Sequence, residues 1–155
     1  MQVQEIMTAA VECCTPNDTA QRAAEIMREA DTGVIPVLAG ENDPKVVGIV
    51  TDRDLCMTVI APGRDPRQVR VQECMTGKVV TLRPEDDVAR AADLMAEKQV
   101  RRLPVVNEHG AILGIVSLAD IAQSPQQAAE VGEAVHDISE PTPEPSMPRA
   151  EDRTR

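Results

Sequence analysis

Apolar residues along this chain recur with two different periods, and the periods alternate in a fixed order. A short β-branched run at 11–14 reaches the turn Thr15-Pro16-Asn17-Asp18. Ala20, Ala23, Ala24 and Met27 then follow at the i, i+3/i+4, i+7 spacing of an amphipathic helix, with acidic residues at its start suited to the positive end of the helix dipole. Two apolar runs come next, at 34–38 and 46–51, parted by a polar, Gly-containing turn that reads as a hairpin. A second helix is predicted from near Asp52, stopping before Pro62.

The same order then returns. Glu5-Ile6-Met7-Thr8 comes back as Glu73-Cys74-Met75-Thr76, Thr15-Pro16-Asn17-Asp18 as Arg83-Pro84-Glu85-Asp86, and Ile35-Pro36-Val37 as Leu103-Pro104-Val105. The second helical stripe is Val88, Ala91, Ala92 and Met95, the strand runs are 79–82, 103–107 and 112–117, and the closing helix starts near Leu118 and stops before Pro125. The hairpin turn of the first copy is longer than the turn Asn107-Glu108-His109-Gly110 of the second. The chain is therefore a tandem duplication of strand, helix, strand, strand, helix, an α/β (α+β) class. A three-stranded sheet with helices on one side leaves apolar area for a sister copy to cover. The pattern divides the chain into a first repeat at 3–62, a linker at 63–72 and a second repeat at 73–124. Beyond these it predicts a C-terminal helix at 126–138, with Ala128, Val131, Val135 and Ile138 on one face, and a disordered Pro-rich tail at 139–155.

One motif stands out within the repeat. Gly-Ile-Val-[Thr/Ser]-x-x-Asp occurs at Gly48 to Asp54 and again at Gly114 to Asp120, placing a hydroxyl at a strand end and a carboxylate in the first turn of the next helix. Two readings are open. [Ser/Thr]-x-x-Asp is close to a capping box, in which hydroxyl and acid satisfy each other's backbone N–H groups. An ionised carboxylate also accepts from the two hydroxyls of a ribose, and a helix N-terminus favours a phosphate. The upstream Gly leaves room for a close approach to the backbone.

These repeated motifs, in this order over nearly all of residues 3–124, resemble tandem cystathionine beta-synthase (CBS) domains, a Bateman module. The resemblance implies two repeats packed about a pseudo-twofold axis, with two clefts for adenosine compounds such as AMP, ADP, ATP, S-adenosylmethionine or NAD. It implies that Thr51 and Asp54 hold a ribose in the first cleft, with Ile49 and the segment Thr8, Ala9, Ala10 flanking the adenine. Ser117, Asp120, Ile115 and the segment Thr76, Gly77, Lys78 do likewise in the second. Arg101 and Arg102 stand where the first copy has Gly33 and Val34, and the family's basic residue at the place of Arg102 reaches a phosphate held by the other repeat. The plainer reading of this pair is two solvated arginines matched with nearby acids. The resemblance further implies a stand-alone regulatory module that shifts between conformations, associates as a homodimer, and acts on an effector protein the sequence does not name.

Composition narrows the alternatives. With a formal net charge of -10, broad binding to a nucleic-acid backbone is not expected. With no Phe, Tyr or Trp, no base can stack on an aromatic ring and a planar ligand must be gripped by aliphatic side chains. Nothing reads as a leader or a membrane-inserted stretch, so a cytoplasmic protein is expected. His109 and His136 belong to no nucleophile or base constellation, so no enzyme is expected. The four cysteines, Cys13, Cys14, Cys56 and Cys74, lack metal-ligand spacing, so no metal is expected, and they read first as small core residues. A thiol redox sensor and a ligand-independent dimerisation scaffold remain as alternatives.

Overall fold

The computed structural model describes residues 1–124 together with Gly132, Val135, His136 and Ile138. Two side chains start the long helices α1 (Ala20–Glu29) and α3 (Val88–Lys98). Thr19 Oγ1 accepts from the Arg22 N–H at 3.1 Å and Asp87 Oδ1 from the Ala89 N–H at 2.8 Å. An acid thus opens α3 as expected and a hydroxyl opens α1, while Asp18 and Asp86 close the Pro turns before the helices, accepting from the N–H groups of Thr15 and Arg83, each at 2.8 Å. Along α1 the buried stripe is Ala20, Ala23, Ile26 and Met27, so Ile26 takes the place expected for Ala24, which is exposed. Along α3 it is Val88, Ala91, Ala92 and Met95, as the spacing predicts. Each helix ends on a left-handed residue, Asp31 (φ 50°) and Gln99 (φ 56°). Beyond these ends, the N–H groups of Thr32 and Val100 reach back to the carbonyls of Met27 and Met95, each at 3.0 Å.

A hairpin follows each helix. β2 (Val34–Gly40) pairs antiparallel with β3 (Asp43–Thr51), Val34 opposite Thr51. β4 (Arg102–Val106) pairs with β5 (Ile112–Ser117), Arg102 opposite Ser117. The first hairpin extends beyond the predicted runs, so the longer turn expected there shrinks to Glu41 and Asn42, and the lengthened β3 leans on the second half, where Lys45 bridges Ala111 and the Val46 N–H donates to Gly110 O at 3.0 Å. The strands expected at 11–14 and 79–82 reduce to single parallel bridges, Cys14 with Val37 and Leu82 with Val105. The closing helices are short, α2 (Asp52–Leu55), running on into a π-helical turn at Cys56–Ile60, and α4 (Leu118–Ala122).

The leading segments of the two repeats are exchanged. β1 (Thr8–Ala9) pairs not with its own repeat but with β5, Thr8 opposite Ile115 and Ala9 opposite Gly114. In return Thr76 bridges Ile49, through N–H to O contacts of 2.9 and 3.1 Å. Val3 is buried in the core of the second half, whereas Val69, Val71 and Cys74 are buried in that of the first. Backbone bonds repeat the exchange, with Val3 N to Asp86 O at 2.9 Å and Val71 N to Asp18 O at 2.8 Å. The second half thus holds a three-stranded sheet, β1-β5-β4, whose edge strand comes from the other repeat, and the third strand of the first half shrinks to the bridge at Thr76.

Of the helix expected at 126–138, Gly132, Val135, His136 and Ile138 are helical, and Ile138 packs against the second core while Val135 is exposed. The rest of that stretch and the expected tail at 139–155 lie outside the described residues. No described helix is long and apolar enough to cross a membrane.

Candidate ligand-binding clefts

Both copies of the hydroxyl-acid motif are capping boxes. Thr51 Oγ1 accepts from the Asp54 N–H at 3.1 Å while Asp54 Oδ2 accepts from the Thr51 N–H at 2.9 Å. Ser117 and Asp120 do the same at 3.2 and 2.7 Å. The caps consume only part of each acid: among the described residues, every hydrogen bond to Asp54 or Asp120 goes to Oδ2, which leaves Oδ1 as an acceptor in each. One difference separates the pairs. The Ser117 hydroxyl donates to its own acid at 2.7 Å, whereas the Thr51 hydroxyl donates to no described residue.

Each acid lines a cleft assembled from both halves. The first, about 340 Å³, brings Ile49, Thr51 and Asp54 against Thr76, Lys78, Val79 and Val80, the end of α3 at Lys98 and Val100, and the start of β4 at Arg102, Leu103 and Pro104. The second, about 320 Å³, brings Ile115, Ser117 and Asp120 against Thr8, Ala10, Val11 and Glu12, the end of α1 at Ala30 and Thr32, and Val34 with Arg102. Both fall in the size range of small-molecule sites.

The partnering of segments differs from the expectation. The stretch from Thr8 to Ala10, expected beside Ile49, stands in the second cleft with Ile115, and the stretch from Thr76 to Lys78 stands in the first with Ile49. Segment exchange is the reason, because each leading segment continues from the strand it contributes to the other half. Ala9 itself lies opposite Gly114 in the ladder, with its neighbours Thr8 and Ala10 lining the cleft. The exchange also accounts for the motif's glycine: a Cβ on Gly114 would stand 2.6 Å from Thr8 O, and one on Gly48 would stand 3.1 Å from Thr76 O. The approach to that backbone is made by the crossing segment.

Arg102 lines both clefts, while Arg101 lines neither and engages the fold through its carbonyl, which accepts the Leu118 N–H at 2.9 Å. Neither arginine is paired with an acid among the described residues, so the plain reading of two surface ion pairs does not hold. Lys98, Val100 and Glu12 are cleft residues that sequence reasoning missed. The signal was present in the repeat, since Lys98 and Val100 match Ala30 and Thr32 just around the left-handed helix ends.

Two of the four thiols belong to the packing, whereas Cys13 is half-buried and Cys56, expected in the core with the others, is exposed on the helical segment after β3. Cys14 and Cys74 are buried; burial, with Asp18 and Cys13 adding to it, pushes the Cys14 thiol up to about 12. Burial and then the charge of Glu12 push Cys13 up to about 11, and burial followed by Glu73 raises Cys74. Such shifts oppose thiolate chemistry. Among the described residues, no three His, Cys, Asp or Glu side chains gather as a metal site.

The CBS domain family matches the chain twice, at residues 3–60 and 71–126. The uncharacterized protein YlbB of Bacillus subtilis is 38% identical over 138 residues, covering 89% of this chain and 91% of YlbB. Hypoxic response protein 1 of Mycobacterium tuberculosis is 35% identical over 120 residues, 77% of this chain and 82% of that protein. A crystal structure of Hypoxic Response Protein I with two coordinated zinc ions superimposes with a TM-score of 0.71 at 33% identity, covering 79% of this chain and 98% of that one. The CBS domain protein PAE2072 from Pyrobaculum aerophilum, complexed with AMP, gives a TM-score of 0.76 over 86% of this chain and 99% of that one, and at 20% identity it speaks to the fold. With both halves matched and the two-cleft architecture in place, the chain belongs to the CBS domain family.

Proposed function

We propose that this protein is a regulatory module whose first cleft binds an adenosine nucleotide, of the AMP, ADP or ATP type in preference to S-adenosylmethionine or NAD, and that it is not an enzyme. One observation carries the reading: Thr51 and Asp54 of one half and Arg102 of the other line the same cleft. Asp54 Oδ1 is an acceptor for a ribose diol, Ile49, Val100 and Leu103 supply aliphatic walls for a purine, and Lys78 and Arg102 are cations for a phosphate. The AMP held by the Pyrobaculum protein supports the ligand class.

A ligand touching both halves favours the relative orientation in which Thr51, Asp54 and Arg102 converge. It biases an effector protein only as far as it binds that orientation better than others. Met57 and Ile60, 56% and 66% exposed on the helical segment after β3, give an apolar face on which a second copy would form the homodimer.

Because Asp54 also caps α2, its replacement by Ala would confound lost binding with lost stability. Asp54→Asn keeps an acceptor for the Thr51 N–H but presents an NH₂ donor, without charge, where the ribose needs an acceptor. AMP at millimolar concentration is expected to raise the melting temperature of the wild type and to leave that of Asp54→Asn unmoved. An AMP shift of equal size in both proteins, or in neither, refutes the reading.

A further inference from the structure

The two clefts are built from equivalent positions of the repeat, so they can be compared residue by residue. Where the first has Lys78, Lys98 and Arg102, the second has Ala10, Ala30 and Val34. Where the first has Val80, the second has Glu12. The first cleft therefore sets three cations against one carboxylate, Asp54. The second has two carboxylates, Glu12 and Asp120, and its only cation is Arg102, reaching in from β4 where it stands opposite Ser117. Among the described residues, Glu12 has no cationic partner to neutralise it.

We infer that the second cleft selects an adenosine compound carrying no phosphate, with Glu12 as the residue that rejects the anion. The inference rests on the reading of the first cleft as a nucleotide site. Arg102 links the two, since one guanidinium lines both clefts and has a single positive charge to set against a phosphate in either. A nucleotide in the first cleft engages Arg102, and the second is then left with Glu12 and Asp120 alone, a field that opposes an anion and tolerates a neutral or cationic ligand. The hydroxyls point the same way: Ser117 is already turned to its own acid, while the Thr51 hydroxyl is available.

Equilibrium dialysis of the full chain against AMP and against adenosine, at pH 8 and low ionic strength, tests this, because the two probes share base and ribose and differ by the phosphate. The wild type is expected to take one AMP per chain and two adenosines. Glu12→Gln, an isosteric change at an exposed position, is expected to admit a second AMP at least about tenfold more tightly than the wild type does. Two AMP molecules of matched affinity on the wild type, no gain of a second AMP in Glu12→Gln, or an adenosine stoichiometry of one overturns the inference while leaving the nucleotide reading standing. Absence of both ligands from the wild type overturns that reading and the inference with it.

Discussion

Gly114→Ala tests the segment exchange where it is tightest. An ideal Cβ at this position would lie 2.6 Å from Thr8 O and 3.2 Å from the Thr8 carbonyl carbon. Carbon-to-oxygen contacts in sheets begin near ~3.3 Å, so β1 and β5 would have to part by roughly 0.7 Å, enough to stretch the ladder between Thr8 and Ile115. The obstacle is backbone, which no rotamer change can relieve. Overpacking of this kind costs about 1–3 kcal/mol, against which the lower entropy of an unfolded Ala returns about 0.4–1 kcal/mol, for a net loss of roughly 1–2 kcal/mol. Two other glycines calibrate the result. Gly48→Ala would meet Met75 Sδ at 2.7 Å, which a flexible side chain can yield, and Thr76 O only at 3.1 Å, so a smaller loss is expected. Gly40→Ala meets nothing within 4 Å and should be neutral or slightly stabilising. Urea denaturation followed by circular dichroism at 222 nm reads all three in a chain that lacks Trp and Tyr. If Gly114→Ala proves as stable as Gly40→Ala, the close crossing of β1 over β5 is wrong.

Two further outcomes follow from the packing. Val71 is fully buried in the first core although the second CBS match, 71–126, begins with it. Val71→Ala removes two methyl groups and should cost roughly 1.5–3 kcal/mol. The accompanying rise in native-state hydrogen exchange is expected in α1, β2 and β3, and an increase confined to α3, β4 and β5 would contradict the exchange of segments. The second outcome concerns alkaline pH. Cys13 and Cys14 are held at about 11 and about 12 against an ordinary thiol value of 9.0, so the folded state binds protons that the unfolded chain has released. Their contribution is complete below pH 9 and is lost as pH rises through 9 toward 11 and beyond. Urea midpoints should therefore fall over that window, and the Cys13→Ala, Cys14→Ala double variant should show a flatter decline; an equal slope in both proteins would refute the assignment.

What the sequence by itself determined is local. The duplication, the helical stripes of α1 and α3, the hairpins and the hydroxyl-acid motif all depend on residues within a few positions of one another, and periodicity records such relations directly. Even so, single residues shifted: Ile26 displaced Ala24 in the buried stripe, and Thr19, a hydroxyl rather than an acid, capped α1. The tertiary structure decided which half each leading segment serves. Val3 and Val71 are the same residue type at matching positions and fit either core, while Thr8 and Thr76, also matched, are exposed and pair through the backbone, so the pattern is degenerate between a closed and an exchanged docking. That choice placed Thr76 to Lys78 beside Ile49 and brought Lys78, Lys98 and Arg102 into one cleft and Glu12 into the other. The charge contrast between the clefts was written in the sequence, but distributed over segments far apart along the chain. It became a property of a binding surface only when the crossing of the two halves joined them.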